Sequence, residues 1–112
     1  MAYVKCSGGV TGEVKKSSHG TYVVTAGVRS IINCGFKPNY VMWHNVGSYF
    51  TAYDSSRTGN QCFYSGSSSY FGTYAVGGSS GGNRIYSIND DGFTINKPTT
   101  GGATCYWYAA QI

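Results

Sequence analysis

The chain has 112 residues, of which 41% are hydrophobic and 16% aromatic; its formal net charge is +4, and it contains no leucine and a single glutamate. Leu and Glu lose little side-chain freedom in a helix, so their absence argues against helical bundles, coiled coils and βαβ nucleotide-binding folds. Val, Ile, Tyr, Thr and Phe fit a pleated sheet and glycine supplies turns, so the composition predicts an all-β protein. The length suits one domain over residues 1–112.

Short segments with apolar and polar residues in alternation follow one another along the chain, bounded by Gly, Asn, Asp or Pro. The predicted strands are, in chain order, Thr21–Thr25, Ser30–Cys34, Tyr40–His44, Phe50–Asp54, Gln61–Ser65, Tyr70–Val76, Arg84–Asn89, Gly92–Asn96 and Thr104–Ala110. Strands that begin about ten residues apart are typical of a sandwich or barrel. We therefore predict a single antiparallel β-sandwich, jelly-roll-like in its winding.

The strongest hairpin signal is the segment Asn89-Asp90-Asp91-Gly92. An Asp-Gly pair tolerates the positive φ angles that a tight antiparallel turn requires. The two adjacent aspartates also have the residue type of catalytic carboxylates. Turn chemistry accounts for both of them, so we assign them to the turn.

Charge and hydropathy exclude several classes of partner. Charged residues make up 11% of the chain, against about 25% in typical soluble domains. The basic residues are dispersed, with Lys15-Lys16 the single adjacent pair, whereas nucleic-acid binding requires a clustered basic face. No basic start followed by an apolar run is present, and no segment approaches the length of a membrane span. We expect no nucleic-acid partner, no membrane insertion and folding in a reducing cytoplasm.

The four cysteines are spread evenly along the chain: Cys6, Cys34, Cys62 and Cys105. They form no C-x-x-C pair, and His19 and His44 do not complete a zinc site, so we expect no metal and no cofactor. Disulfides would allow three pairings, but the expected compartment argues against them. Buried free thiols that act as small hydrophobic side chains are the prediction.

The segment Tyr64–Asn83 consists almost wholly of Tyr, Ser and Gly. One interpretation is two flexible surface loops that flank a strand. The other is a binding surface, because Tyr offers a large amphipathic contact area at low entropic cost, and Ser and Gly adapt around it. Tyrosine faces also stack on sugar rings. The candidate ligand-binding residues are Tyr64, Tyr70, Tyr74, Trp43 and His44, with Tyr49 and Tyr53 as possible extensions.

Catalytic motifs give little support for an enzyme. Nucleophilic catalysis needs a positioned nucleophile, a base and a third group that orients the base. Two histidines, Asp54 and many serines could be combined into a triad on paper, but any Ser-rich chain allows that. The Gly-rich segment 77–82 opens no helix, so it is not a phosphate-binding loop. We expect a protein without enzymatic activity.

Three motifs occur in order over the chain from about residue 20 onwards. The first, Gly35-Phe36-Lys37-Pro38-Asn39-Tyr40-Val41, has the pattern GFKP-x-Y-V. The second, Ile88–Ile95, contains a DGF hairpin, and the third, Gly102–Ala110, is an aromatic run that ends Tyr-Ala-Ala. Together they resemble small β-sandwich domains of tailed-bacteriophage virion proteins, which occur most often in tail-fibre and receptor-binding tips.

The resemblance implies a non-enzymatic structural protein on the surface of a virion, made in the host cytoplasm, as a capsid decoration, head fibre or tail-fibre component. Such a protein contacts other virion proteins. Because this sequence shows no stalk or heptad segment, we expect its own faces to hold it, as a homo-oligomer or docked on another protein. In the last strand Tyr106 and Tyr108 alternate with Trp107, which predicts one aromatic face inside and one against a neighbour.

Two alternatives stay open. The chain could be a host-receptor or carbohydrate-binding module that acts through the Tyr/Ser/Gly-rich loops, or a lectin unrelated to phages. The resemblance itself identifies no binding residue.

Overall fold

The computed structural model describes residues 15–45, 49–55, 61–65, 71–77, 84–98 and 101–112. Within these ranges the strands are β1 (Lys16–Val23), β2 (Ser30–Asn33), β3 (Tyr40–Asn45), β4 (Tyr49–Asp54), β5 (Gln61–Ser65), β6 (Phe71–Ala75), β7 (Ile85–Asn89), β8 (Gly92–Ile95) and β9 (Thr104–Gln111). Every predicted strand is confirmed. The largest shift is in β1, which begins at Lys16 instead of Thr21.

The strands form two antiparallel sheets. The larger sheet has six strands in the order β1-β9-β3-β4-β5-β6, and the smaller has three in the order β2-β8-β7. β1 pairs with β9 in the larger sheet and β2 pairs with β8 in the smaller, so the first two described strands pair with the last two in nested order. This nested pairing is the jelly-roll feature of the winding, whereas β3 to β6 continue as a meander. The predicted antiparallel β-sandwich is confirmed.

The hydrophobic core lies between the two sheets. On β3, Val41 and Trp43 are fully buried, whereas the residues that alternate with them are half-buried or exposed. Phe93 and Ile95 of β8 are fully buried from the other side. The Phe93 ring packs edge-to-face on Trp107, with 5.8 Å between the ring centroids. The smaller sheet therefore covers one face of the larger sheet, and no described strand covers the other face.

The β7–β8 hairpin has the predicted two-residue turn, because Asn89 pairs with Gly92 across Asp90 and Asp91. The reason for the glycine differs from the prediction. Positive φ angles occur at other glycines of the described chain, such as Gly27 with φ 73°, and not at Gly92. A Cβ at Gly92 would instead overlap the carbonyl oxygen of Ile32 on the neighbouring strand β2. Close approach of two backbones requires this glycine.

The described cysteines are thiols and form no disulfide. Cys62 and Cys105 are buried, as predicted, and Cys34 is half-buried; Cys6 lies outside the described residues. Burial raises the pKa of Cys62 and of Cys105 to about 11. Both thiols therefore stay protonated near neutral pH and pack as small hydrophobic groups.

Candidate binding face

We call one face of the six-stranded sheet the outer face: it is the face that points away from the smaller sheet. Its side chains follow from the strand register, because residues paired across strands share a face. One row across the sheet consists of Thr21, Tyr106, His44 and Phe50. The adjacent row consists of His19, Tyr108, Met42, Ala52 and Phe63. Neither row contains Asp, Glu, Lys or Arg.

Several large side chains of the outer face are accessible to solvent. Tyr106 is 50% exposed and Phe63 is 41% exposed. Both histidines of the two rows are exposed, and Met42 and Tyr108 are half-buried. Contiguous apolar surface of this kind, when it is large, marks a contact site for a partner or ligand.

A shallow groove of about 180 Å³ lies between the two rows. Its side-chain walls are Met42, His44, Phe50, Tyr106 and Tyr108, and Trp43 and Trp107 also line it. Because both tryptophan side chains point to the core, these two residues contribute backbone at the floor. The surface of the groove is almost wholly apolar. The side-chain nitrogen and oxygen atoms of its wall residues are those of the His44 imidazole and of the Tyr106 and Tyr108 hydroxyls.

Tyr108, at one side of the groove, is held in place by Tyr40. The two rings meet edge-to-face, with centroids 6.2 Å apart. Burial, together with the negative charge of Asp54, raises the pKa of Tyr40. Its hydroxyl is therefore a neutral donor and acceptor near pH 7, and it adds no charge to this side of the face.

Three of the predicted ligand-binding residues, Trp43, Tyr64 and Tyr74, lie in the core of the sandwich. Trp43 is fully buried and donates its indole N–H to the hydroxyl of Tyr22 over 2.9 Å. Tyr64 and Tyr74 are 8% and 7% exposed, and Tyr64 stacks on Tyr49 with 6.0 Å between centroids. Side chains alternate between the two faces along β3, β5 and β6, and these three rings are on the face that points to the smaller sheet. A ligand at the surface does not reach them there.

The other predicted site residues have different positions. His44 lies on the outer face at the groove, and Tyr70 lies outside the described residues. Tyr49 and Tyr53 are half-buried and pack against the core. The structure therefore brings Trp43, Tyr49, Tyr64 and Tyr74 together in one chain of ring contacts, but in the core. Among the described members of the predicted set, His44 is the one whose side chain forms a wall of the groove.

Sequence reasoning did not include in the candidate site four of the five residues whose side chains form the walls of the groove: Met42, Phe50, Tyr106 and Tyr108. A signal for two of them was present in the Tyr106-Trp107-Tyr108 alternation, which predicts two aromatic faces. The structure shows which residue of this alternation faces which way: Trp107 packs against the core, and Tyr106 is exposed.

The hydroxyl of Tyr74 joins the two sheets through a chain of hydrogen bonds. It accepts the backbone N–H of Ile85 over 2.8 Å and lies 2.5 Å from the hydroxyl oxygen of Thr51. Thr51 in turn donates to the carbonyl of Phe63 over 2.8 Å, so Tyr74 is the donor to Thr51. Burial is the main cause that raises the pKa of Tyr74. This arrangement is structural, since the hydroxyl stays protonated and both its bonds are to protein groups.

Arg84 packs against the same buried tyrosines. Its guanidinium carbon lies 4.6 Å from the ring centroid of Tyr64 and 4.9 Å from that of Tyr74. These distances are within the range of cation–π attraction. The charge of Arg84 is thus used within the sandwich and is not part of the outer face.

Comparisons of the chain with protein-family models, curated proteins and solved structures gave no match. In the described part of the chain, no three His, Cys, Asp or Glu side chains are close enough to share a metal ion. Over the same residues, no helix is long and apolar enough to cross a bilayer. The chain is thus a two-sheet antiparallel β-sandwich, and one face of its larger sheet is aromatic-rich and covered by no strand of the described part.

Proposed function

We propose that the chain is a non-enzymatic structural protein on the surface of a tailed-phage particle. It would act as a capsid decoration, head fibre or tail-fibre component and bind a neighbouring virion protein through its outer face. The observation that carries the proposal is the pair of exposed aromatic side chains on the outer face, Tyr106 at 50% and Phe63 at 41% exposure, in two rows that contain no charged residue. The phage setting rests on the three sequence motifs.

The chemistry of the outer face suits permanent contact with another protein. Aromatic residues and Met are enriched at the centres of protein interfaces, whereas Lys, Glu and Asp are depleted there. The two central rows of the outer face have this composition. A second copy of the chain is one neighbour that this surface would fit, which agrees with the expectation of a homo-oligomer.

The second candidate function is recognition of a host receptor or carbohydrate. The Tyr/Ser/Gly-rich loops proposed for it lie largely outside the described residues. The observation that favours it is the apolar groove beside Tyr106 and His44 on the outer face. In that case the ligand would meet a sheet face instead of the loops.

Electron microscopy of intact particles tests the first candidate. Particles made without the protein are expected to lose density at discrete surface positions and to regain it when purified protein is added. If the protein is absent from purified wild-type particles, the proposal is wrong.

A charge placed on the outer face tests which surface makes the contact. Tyr106→Lys should weaken rebinding to depleted particles by at least about tenfold, because the contact would bury an unpaired charge. The matched control is Ile31→Lys, since Ile31 is 78% exposed on β2, on the other sheet. Loss of rebinding in the control alone would assign the contact to the smaller sheet and contradict the proposal.

A further inference from the structure

We infer that the groove on the outer face is a subsite for one hexopyranose ring of a neutral cell-surface polysaccharide. This inference deepens the second candidate function and rests on the proposal that the outer face is a binding surface. It assigns the site to Met42, His44, Phe50, Tyr106 and Tyr108. None of these residues belongs to the Tyr/Ser/Gly-rich segment.

The size of the groove limits the ligand to a single ring. Pockets for drug-sized molecules begin at about 300 Å³. The groove measures about 180 Å³ and is open to solvent along one side. One ring can sit in it while the preceding and following sugars of a chain remain outside, which suits an internal or terminal unit of a polysaccharide.

The lining matches the two kinds of surface that a pyranose presents. The C–H groups of the ring form an apolar face that packs on aromatic side chains, and Tyr106 and Phe50 provide such surfaces on neighbouring strands. The sugar hydroxyls lie around the ring edge, where the His44 imidazole and the tyrosine hydroxyls can donate and accept hydrogen bonds.

Among the described residues, no Asp, Glu, Lys or Arg lines the groove, and this selects against charged ligands. A carboxylate or phosphate that enters an apolar groove loses hydration, and no lining side chain compensates with an opposite charge. Uronic acids, sialic acids and nucleotides are therefore disfavoured. A neutral hexose keeps most of its hydroxyls at the open side and avoids this cost.

Titration of the ¹⁵N-labelled protein with methyl glucopyranoside, methyl galactopyranoside and N-acetylglucosamine, followed by NMR, tests the subsite. We expect saturable shifts at the amides of residues 42–44 and 106–108 for at least one sugar, with a dissociation constant of about millimolar, as its few heavy atoms allow. Glucuronate should bind at least about tenfold more weakly than glucoside. No saturable shift, or equal binding of glucuronate, would overturn the inference.

Variants at exposed positions separate binding from folding. Tyr106→Ala and His44→Ala should each weaken binding by about tenfold or more while leaving the melting temperature nearly unchanged. Tyr86→Ala is the matched control, because Tyr86 is 36% exposed on β7 of the other sheet. If Tyr86→Ala weakens binding as much as Tyr106→Ala does, the groove is not the site.

Two further measurements fix the source of the sugar and exclude a protein occupant. Purified host polysaccharide should displace the bound glycoside, and failure to do so would contradict the cell-surface source. Amide shifts at the groove that depend on protein concentration alone would mean that a second copy of the chain fills it, which also contradicts the inference. The electron-microscopy result is independent, so the proposed virion location can fail while the subsite stands, or the reverse.

Discussion

The buried hydroxyl group of Tyr74 connects the two sheets by hydrogen bonds. Its bond from the N–H of Ile85 comes from the smaller sheet, and its bond to Thr51 crosses β5, the one strand between β6 and β4 of the larger sheet. A buried donor or acceptor that loses its partner costs its full desolvation energy. Tyr74 therefore matters to stability through its oxygen as well as through its ring.

Tyr74→Phe should lower the free energy of unfolding by about 1–3 kcal/mol, because the N–H of Ile85 loses its acceptor and Thr51 loses its donor. Urea unfolding followed by tryptophan fluorescence measures the loss. Tyr86→Phe is the control, since the Tyr86 ring is exposed and its contact with Arg29, 3.9 Å from the ring centroid, involves the face and not the hydroxyl. Equal losses in the two variants would contradict the role of the hydrogen bonds.

The buried thiol of Cys62 makes stability depend on pH. Burial raises its pKa from 9.0 to about 11 in the folded protein, so the unfolded chain releases this proton first as the pH rises. The unfolded state then binds fewer protons than the native state, and stability that is complete below pH 9 falls as the pH approaches 11. Between about pH 8 and pH 10 the wild type should lose more unfolding free energy than Cys62→Ala loses.

Urea unfolding at the two pH values gives this difference directly. The comparison is made within each variant, so the cavity left by Cys62→Ala cancels. Burial also raises the pKa of Tyr22, which contributes equally to both proteins. The pKa of Tyr74 is raised mainly by burial and in part by Cys62, so the difference between the two slopes measures the thiol together with its effect on Tyr74. Thr73→Ala, at an exposed position that does not titrate, should keep the wild-type slope. Identical slopes for the wild type and Cys62→Ala would exclude the thiol as a cause.

At the scale of the strands, each edge strand of the six-stranded sheet contains a glycine that is covered by an aromatic ring of the neighbouring strand. The edge strand β1 contains Gly20, and the Trp107 ring of the neighbouring strand lies over it. The other edge strand, β6, contains Gly72, and the Tyr64 ring of its neighbour lies over that. An aromatic ring that covers a glycine on the adjacent strand pins the strand register.

Gly72→Ala should destabilise the fold by about 1–3 kcal/mol, because an added Cβ would lie 2.7 Å from the Tyr64 hydroxyl oxygen and the packed ring has little room to move. The ring is fixed by Tyr49 on one side and Tyr74 on another. Thermal unfolding measures the effect, and Thr73→Ala on the same strand, whose side chain is exposed, is the control. A stability gain at Gly72→Ala, as expected for an unobstructed strand position, would contradict this packing.

The strands could be predicted from the sequence because period-2 alternation and turn residues are local signals. Which tyrosines lie in the core and which lie at the surface could not be predicted from the sequence. It depends on which face of each strand points toward the other sheet, whose strands are distant in the chain. Tyr64 and Tyr106 sit in similar local patterns, yet Tyr64 faces the smaller sheet and Tyr106 faces solvent. The difference arises because the three-stranded sheet covers only one side of the six-stranded sheet.

The residues of the groove on the outer face could not be identified from the sequence for a related reason. Its walls come from β3, β4 and β9, and β9 lies about 60 residues after β3 in the chain. Only the sheet order β9-β3-β4 places Tyr106, His44 and Phe50 side by side. Composition predicted a contact surface rich in tyrosine in the Tyr/Ser/Gly-rich segment, much of which lies outside the described residues.

At the scale of the whole molecule, β9 is the strand on which the larger sheet depends. It lies between β1 and β3 and pairs with both, from Val23 with Thr104 to Tyr40 with Ala110. Just after it, the backbone of Ile112 exchanges two 3.0 Å hydrogen bonds with the Asn39 side chain ahead of β3. Without β9, β1 would have no partner strand among the described residues.

A chain from which Thr104–Ile112 is removed should therefore fail to fold, because the loss separates β1 from the sheet and exposes the core beside Trp43. Removal of Ile112 alone leaves β9 in place and deletes only the contact with Asn39, so this control should fold with a stability loss of about 1–2 kcal/mol. Dispersion of amide signals in NMR spectra and cooperativity of urea unfolding distinguish the two chains. Cooperative unfolding of the shorter chain would mean that β2 to β8 form a stable core without the last strand. The pairing of β1 with β9 would then contribute to stability without being required for folding.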